Sequence, residues 1–228
     1  MIELPEIWIY GSRARGDADS QSDTDVLIVA DTESVVGVVV SCLEPSYPRV
    51  QPSYYSWLEM ERMASYGSLF LHHIATEGMR WHAAAHEPNR LPLLLANLPP
   101  FTRVDEDLTA FRQAIQESQA SMLDGGWADF EYEIIATVVR HAAILGAHLA
   151  GTAAFGREQP FFVCGRVLGW PAADTALLAR YATGWRKHQR GRHEEPLMKA
   201  RWLEAVNRFI NDLEAWGRER HRVLPTAA

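Results

Sequence analysis

The sequence is short of cysteine, of positive charge and of long apolar runs, and each shortage removes a class of protein. Its 228 residues contain only two cysteines, Cys42 and Cys164, far apart and without CxxC spacing. That usage suggests neither a disulfide framework nor a thiolate zinc site and fits a reducing cytoplasm. Each cysteine reads as a small buried apolar residue. Lysine and arginine number 22 against 29 acids, for a formal net charge of −7. An acidic chain lacks the broad basic field of a non-specific nucleic-acid binder, although a local basic groove stays open to it. No apolar run approaches the roughly 20 residues that span a bilayer, so no membrane partner is expected. The first six residues, Met1-Ile2-Glu3-Leu4-Pro5-Glu6, have no basic stretch followed by an apolar one and do not read as a signal peptide. There is no internal repeat and no low-complexity tract. With 47% hydrophobic residues the chain can bury a substantial core, as one large domain or two small ones.

What is there concentrates near the start. A hydrophobic strand, Ile7-Trp8-Ile9-Tyr10, runs into the turn Gly11-Ser12, followed by Arg13-Ala14-Arg15-Gly16. A polar loop leads to Ser22-Asp23-Thr24-Asp25 and a second apolar strand, Val26-Leu27-Ile28-Val29. Residues i and i+2 of a strand face the same way, so Asp23 and Asp25 project together, close to the Gly-Ser turn. Two carboxylates at that spacing can share a divalent cation. A Gly-Ser turn at a helix start can hold phosphate with backbone N–H groups and a hydroxyl. The bland alternative is an acidic, Gly-rich surface loop whose residues serve only turn geometry.

Gly11-Ser12, Ala14-Arg15-Gly16 and Ser22-Asp23-Thr24-Asp25, followed by the apolar strand, match in order and spacing a known signature. The stretch resembles that of the polymerase-β-type nucleotidyltransferase superfamily. The resemblance implies an α+β fold: a small nucleotidyltransferase domain with a mixed sheet of about three to five strands, then a helical bundle domain. It also implies binding of Mg²⁺ and a nucleoside triphosphate such as ATP, with transfer of NMP to an acceptor and release of pyrophosphate. Asp23 and Asp25 would be the Mg²⁺ ligands and catalytic carboxylates, since oxygen ligands suit that hard cation. Gly11 would let the backbone approach a phosphate closely. Ser12 would donate its hydroxyl, and Arg13 and Arg15 would neutralise phosphate charge. Asp17 and Asp19 read as solvated loop acids.

The family also uses a third carboxylate, on the strand after the next helix. Here that strand, Val50-Gln51-Pro52-Ser53-Tyr54-Tyr55-Ser56, has no Asp or Glu. Gln51 stands where comparison with relatives places the acid, and Ser53 is the other inward candidate. A Gln oxygen coordinates weakly and cannot act as a base near neutral pH. Glu44, or an acid of the helical half such as Asp129, Glu131 or Glu133, could supply the missing group. Alternatively the site binds a nucleotide without turnover.

Along the chain, strands are expected over 6–10, 24–30 and 49–56, with Pro52 marking an edge position. Segment 35–43 is valine-rich and could be strand or helix; the resemblance favours helix. Helical patterns follow from 57–66, with Leu69, Phe70, Leu71 and Ile74 continuing the apolar face up to Gly78, then a short strand or extended segment over 79–82. Segment 67–78 looks like one found after the third strand in a subgroup of bacterial nucleotidyltransferase-like proteins. Pro88, Pro92, Pro99 and Pro100 punctuate the next stretch and suggest a boundary between a first domain, 1–98, and a helical domain, 103–228, for the acceptor or a partner. In the second domain, helices are expected over 105–123, 130–149, 174–187 and 196–216.

Four further features are weighed. Adjacent His72 and His73 point about 100° apart on a helix and cannot easily chelate one metal; one is expected to pack and the other to be wet. Arg140 interrupts an apolar helix face as an edge residue, a buried paired charge or a group reaching the nucleotide. Gly156-Arg157 leading to Phe161-Phe162 could frame a stacking pocket, or simply connect helices through core phenylalanines. The basic run Trp185-Arg186-Lys187-His188-Gln189-Arg190-Gly191-Arg192-His193 could touch a phosphorylated acceptor or nucleic acid, or end a helix in solvent. The expected partners are an NTP and an acceptor, a small molecule or protein being favoured over nucleic acid; a homodimer is compatible with the sequence.

Overall fold

The computed structural model describes residues 5–81, 90–126, 128–186 and 196–223. The chain divides into two compact units, 1–102 and 103–228.

The first unit is built on a four-stranded mixed sheet in the order β3-β2-β1-β4. Its strands are β1 (Glu6–Tyr10), β2 (Thr24–Val29), β3 (Val50–Tyr55) and β4 (Met79–Arg80). β1 pairs antiparallel with both β2 and β4, and β2 pairs parallel with β3. A one-turn helix, α1 (Ser12–Arg15), follows β1. A 3₁₀ turn (Glu33–Val35) leads into α2 (Val36–Leu43), so the valine-rich segment is helical. α2 supplies the crossover that a parallel β2–β3 pair requires. β3 lies at the sheet edge, where Pro52 removes no ladder bond from a central strand.

The period-2 pattern sorts side chains onto two faces. Ile7, Ile9, Val26 and Ile28 form one buried face with Val39 and Leu43 of α2. Leu27 and Val29 form the other with Trp57 and Met60 of α3 (Trp57–Ser65), Leu71 and Ile74 of α4 (Leu69–Glu77), and Leu91 and Leu95 of α5 (Arg90–Ala96). A capping box starts α3: Glu59 N–H donates to the Ser56 hydroxyl, and the Glu59 carboxylate accepts from Ser56 N–H at 2.7 Å.

α5 departs from the sequence reading, which saw only punctuation there. Pro92 falls in the first turn, where a proline removes no intrahelical bond. The Leu91 N–H is satisfied from far along the chain by the buried Glu6 carboxylate, at 3.0 Å. A carboxylate is favoured at a helix N-terminus.

The second unit is helical: α6 (Val104–Leu123), α7 (Ala128–Leu149), α8 (Gln159–Val167), α9 (Ala172–Arg186) and α10 (Pro196–Val223). Trp202, Phe161, Phe209, Leu108, Ile135, Val139 and Leu213 are essentially excluded from solvent. Gly146 of α7 lets neighbours approach, since a Cβ there would lie 2.6 Å from the Cys164 sulfur and 2.7 Å from Leu213. Cys164 is buried, as expected, and burial pushes its thiol up to about 12, but Cys42 is exposed on α2. Its neighbours Val39 and Leu43 face the sheet, so position 42 falls on the outer side of the helix. Among the described residues, no helix is long and apolar enough to cross a membrane.

Candidate functional site

β1 ends at Tyr10, and the chain turns sharply because Gly11 adopts φ 71°. A Cβ at position 11 would lie 2.5 Å from Asp25 Oδ2. Only glycine allows both the backbone angle and that approach. The turn and the carboxylate are therefore in contact range, and the space beside Asp25 is one that any other residue would fill. α1 closes on Gly16, left-handed at φ 79°.

Register fixes what faces Asp25. Its β1 partner is Tyr10 and its β3 partner is Gln51; one step along the same face, Leu27 lies between Trp8 and Ser53. Gln51 is thus the cross-strand neighbour of Asp25, an exposed neutral amide on the same face. Ser53 sits one pair deeper, its hydroxyl 3.1 Å from the Tyr10 phenol. Burial holds that phenol above its ordinary value against the Ser53 hydrogen bond, and the Asp25 charge adds to the rise. The Tyr10 ring meets His73 edge-on, with centroids 5.4 Å apart.

Asp25 is half-buried and Asp23, just outside the strand, is exposed. Asp23 pairs with Arg49, whose Nε lies 3.4 Å from Oδ1. Arg49 is the only non-glycine residue with positive φ, at 50°, among the described residues. Its guanidinium also donates to the carbonyls of Ser20 at 2.6 Å and Ser22 at 3.4 Å, and to the Gln21 side chain. Arg13 Nη2 donates to the same Ser22 carbonyl at 3.1 Å, and Arg13 Nε is buried without a hydrogen-bond partner. Two cations therefore converge on the residue preceding Asp23. The loop is closed internally as well: Asp19 N–H donates to the Ser22 hydroxyl, which donates to the Asp19 carboxylate, both at 2.9 Å. Asp19 is a structural acid of the loop, which its three-residue spacing to Ser22 could have signalled.

Arg15 turns to protein, donating to Glu77 at 2.6 Å and to Asp17 at 3.3 Å. Glu77 also binds His73 Nε2 at 2.8 Å. Burial raises the Glu77 carboxyl, but the hydrogen bonds from His73 and Arg15 more than offset it and leave the group below its ordinary range. This bridge ties α1 to α4. Nothing in local sequence announced Glu77, 52 residues beyond Asp25; only tertiary packing brings it there. His72 is half-buried as well, its Nε2 3.2 Å from the Pro99 carbonyl. Neither histidine is the wet one expected: each is half-buried and hydrogen-bonded.

The other candidates for a third acid sort differently. Glu44 caps α2, which packs on the sheet face opposite Asp25. Asp129, Glu131 and Glu133 belong to the second unit. There Glu131 accepts from the Ser121 hydroxyl at 2.6 Å, and Asp129 lies 3.9 Å from Lys199. Arg140 donates to the Phe155 carbonyl at 2.7 Å. Phe161 is buried within its unit while Phe162 is 42% exposed, so the aromatic pair is split between core and surface. Residues 187–193 of the basic run lie outside the described residues.

Among the described residues, no group of three or more His, Cys, Asp or Glu is arranged to hold a metal ion. The donor set at the turn is two carboxylates two residues apart and one neutral amide oxygen. That set suits a single Mg²⁺ held by one or two carboxylates and completed by substrate phosphates. It does not provide the ligands of a fully protein-held pair of ions.

A β-strand, a Gly-Ser turn and an Asp-x-Asp strand are thus packed together in one mixed sheet. The nucleotidyltransferase domain family model matches residues 4–48, which contain β1, α1, β2 and α2. The match is consistent with the polymerase-β-type superfamily and supports a general nucleotidyl-transfer function. No curated protein matches the chain.

Proposed function

We propose that the first unit binds Mg²⁺ and a nucleoside triphosphate between the Gly11-Ser12 turn and the Asp23/Asp25 strand, and transfers NMP to an acceptor. The observation that carries this reading is the contact between turn and carboxylate: Gly11 leaves Asp25 the space a Cβ would fill. Asp23 and Asp25 would hold the cation together with the phosphates, and Mg²⁺ bound there would supply positive charge to the reacting phosphoryl group. Gly11 admits a phosphate close to backbone, and Ser12 donates its hydroxyl to it. Arg13 adds positive charge at the turn, while Arg15, paired with Glu77, holds α1 in place. The acceptor oxygen bonds to the α-phosphorus as the bond to the pyrophosphate oxygen breaks. The acceptor proton passes to solvent or to substrate, since Gln51 cannot take it.

The acceptor is a hydroxyl of a small molecule, a protein side chain or a tRNA end. A chain of net charge −7 suits a polycationic acceptor such as an aminoglycoside. The cysteine usage fits a cytoplasmic setting. Pyrophosphate release from each NTP with Mg²⁺, with and without an aminoglycoside panel, tests transfer. Release that needs an acceptor and disappears in Asp25→Asn supports it; release unchanged in that variant refutes the assignment. One observation favours a second reading, a nucleotide-binding module without turnover: Gln51 where the third acid is expected, directly in register with Asp25. Metal-dependent NTP binding without release for any acceptor would favour that reading.

A further inference from the structure

The residue that stands out at this site is Arg49, which the sequence did not mark. It adopts a left-handed backbone at φ 50°, an angle that costs an L-residue with a long side chain and persists only where surroundings hold it. What holds it is specific. Its carbonyl accepts the Thr24 N–H at 3.0 Å, anchoring it to the start of β2. Its guanidinium then spans Ser20, Gln21, Ser22 and Asp23, the loop that delivers the first carboxylate. The strained angle is thus the one that sends the side chain back over Asp23 rather than along β3.

Charge explains what this arrangement does. Asp23 and Asp25 alone offer a cation few ligands, and Asp23 is already neutralised. The pair is an open one: the Arg49 and Asp23 side chains are 42% and 53% exposed. Ion pairs of that exposure are weak and exchange readily for a stronger partner. A triphosphate is such a partner, because a guanidinium binds phosphate with two parallel N–H bonds and several negative charges at once.

We propose that Arg49 plugs Asp23 in the nucleotide-free protein and turns to the polyphosphate of an incoming nucleoside triphosphate, so that divalent metal enters the site together with nucleotide and not before it. The inference rests on the nucleotide-binding reading above and adds the residue that couples metal to nucleotide. Arg49 is then a binding residue whose removal acts in opposite directions on the two ligands. A loop clamp with no such role would weaken both or neither.

The test uses Mn²⁺ as a spectroscopic probe, with free ion read by electron paramagnetic resonance, on the full chain. The variants are Arg49→Gln, which keeps amide donors for the loop, and Arg49→Gly, which adopts φ 50° without strain and guards against misfolding. Affinity for Mn²⁺ alone should rise about five-fold in both, the worth of one exposed ion pair. Affinity for ATP in the presence of Mn²⁺ should fall about ten-fold, the scale of one charge-assisted phosphate contact. Both shifts, in opposite directions and in proteins that melt cooperatively, are required. Unchanged or weaker Mn²⁺ binding in both variants overturns the inference while leaving the nucleotide site standing, provided wild-type ATP binding still depends on Asp25. If wild type binds no NTP, or binds it equally well as Asp25→Asn, the functional reading and this inference fall together.

Discussion

The two faces of the β-sheet in the first unit follow the same period-2 rule and end differently. The face against α2 is apolar apart from Thr24, whose buried hydroxyl donates to the Pro48 carbonyl: Ile7, Ile9, Val26 and Ile28 meet Val39 and Leu43, none more than 9% exposed. The face against α3, α4 and α5 starts the same way, with Leu27 and Val29, then gives way at one end to Tyr10, Asp25, Gln51 and Ser53. On the second face the apolar rule breaks at both ends: at buried Glu6, which binds the start of α5, and at Tyr10, Asp25 and Gln51. The Asp25 end brings together carboxylates, Gly11 at positive φ and Arg49 at φ 50°, and the proposed function gives that end a reason that stability alone does not.

The sharpest way to break this comparison is to truncate one residue of each face. Ile28→Ala on the apolar face should cost about 2–5 kcal/mol in denaturant unfolding, from lost burial and a residual cavity. Asp25→Asn, three residues back on the other face, should cost no more than about 1 kcal/mol and still abolish metal-dependent NTP binding. Equal stability losses would mean that Asp25 serves the fold.

Gly11→Ala comes next. It forces an alanine to φ 71° and pushes a methyl against Asp25, so a loss of about 1–2 kcal/mol is expected together with loss of nucleotide binding. A variant that melts and binds like wild type would dismiss the close approach as a cause.

Glu77 gives a smaller effect with a pH signature. Its folded-state carboxyl lies below its ordinary value, so its stabilisation is present above the unfolded carboxylate range and is lost as pH falls through the folded value. The melting-temperature gap between wild type and Glu77→Gln should be widest near neutrality and narrow in acid. A gap that is constant with pH would contradict the ionised bridge to Arg15 and His73.

The smallest effect on stability is expected from Gln51→Asp, because position 51 is exposed. It places a third carboxylate in register with Asp25 and should tighten Mn²⁺ binding measurably; unaltered Mn²⁺ binding would show that the site does not follow the three-acid plan.

Much of this was legible in sequence, for local reasons. The Gly-Ser turn, the Asp-x-Asp spacing, the apolar strands around them and the edge role of Pro52 all follow from short-range rules. So does the mixed sheet followed by helices. What was not legible depends on contacts between distant residues. Glu77 reaches Arg15 across 62 positions. The N-terminus of α5, hidden by Pro92, is satisfied by Glu6, 85 positions earlier. Arg49 reads as an ordinary strand-leading residue until its backbone angle sends it over Asp23. Cys42 was misplaced because a valine-rich helix packs on only one side, and composition does not say which.

The most direct measurement is calorimetric titration of the four NTPs, with and without Mg²⁺, into wild type and the Asp23→Asn/Asp25→Asn double variant. A functional turn-and-carboxylate site predicts binding of at least one NTP that requires Mg²⁺ and is lost in the folded double variant. No binding of any NTP by folded wild-type protein, or binding that the double variant retains, would contradict it.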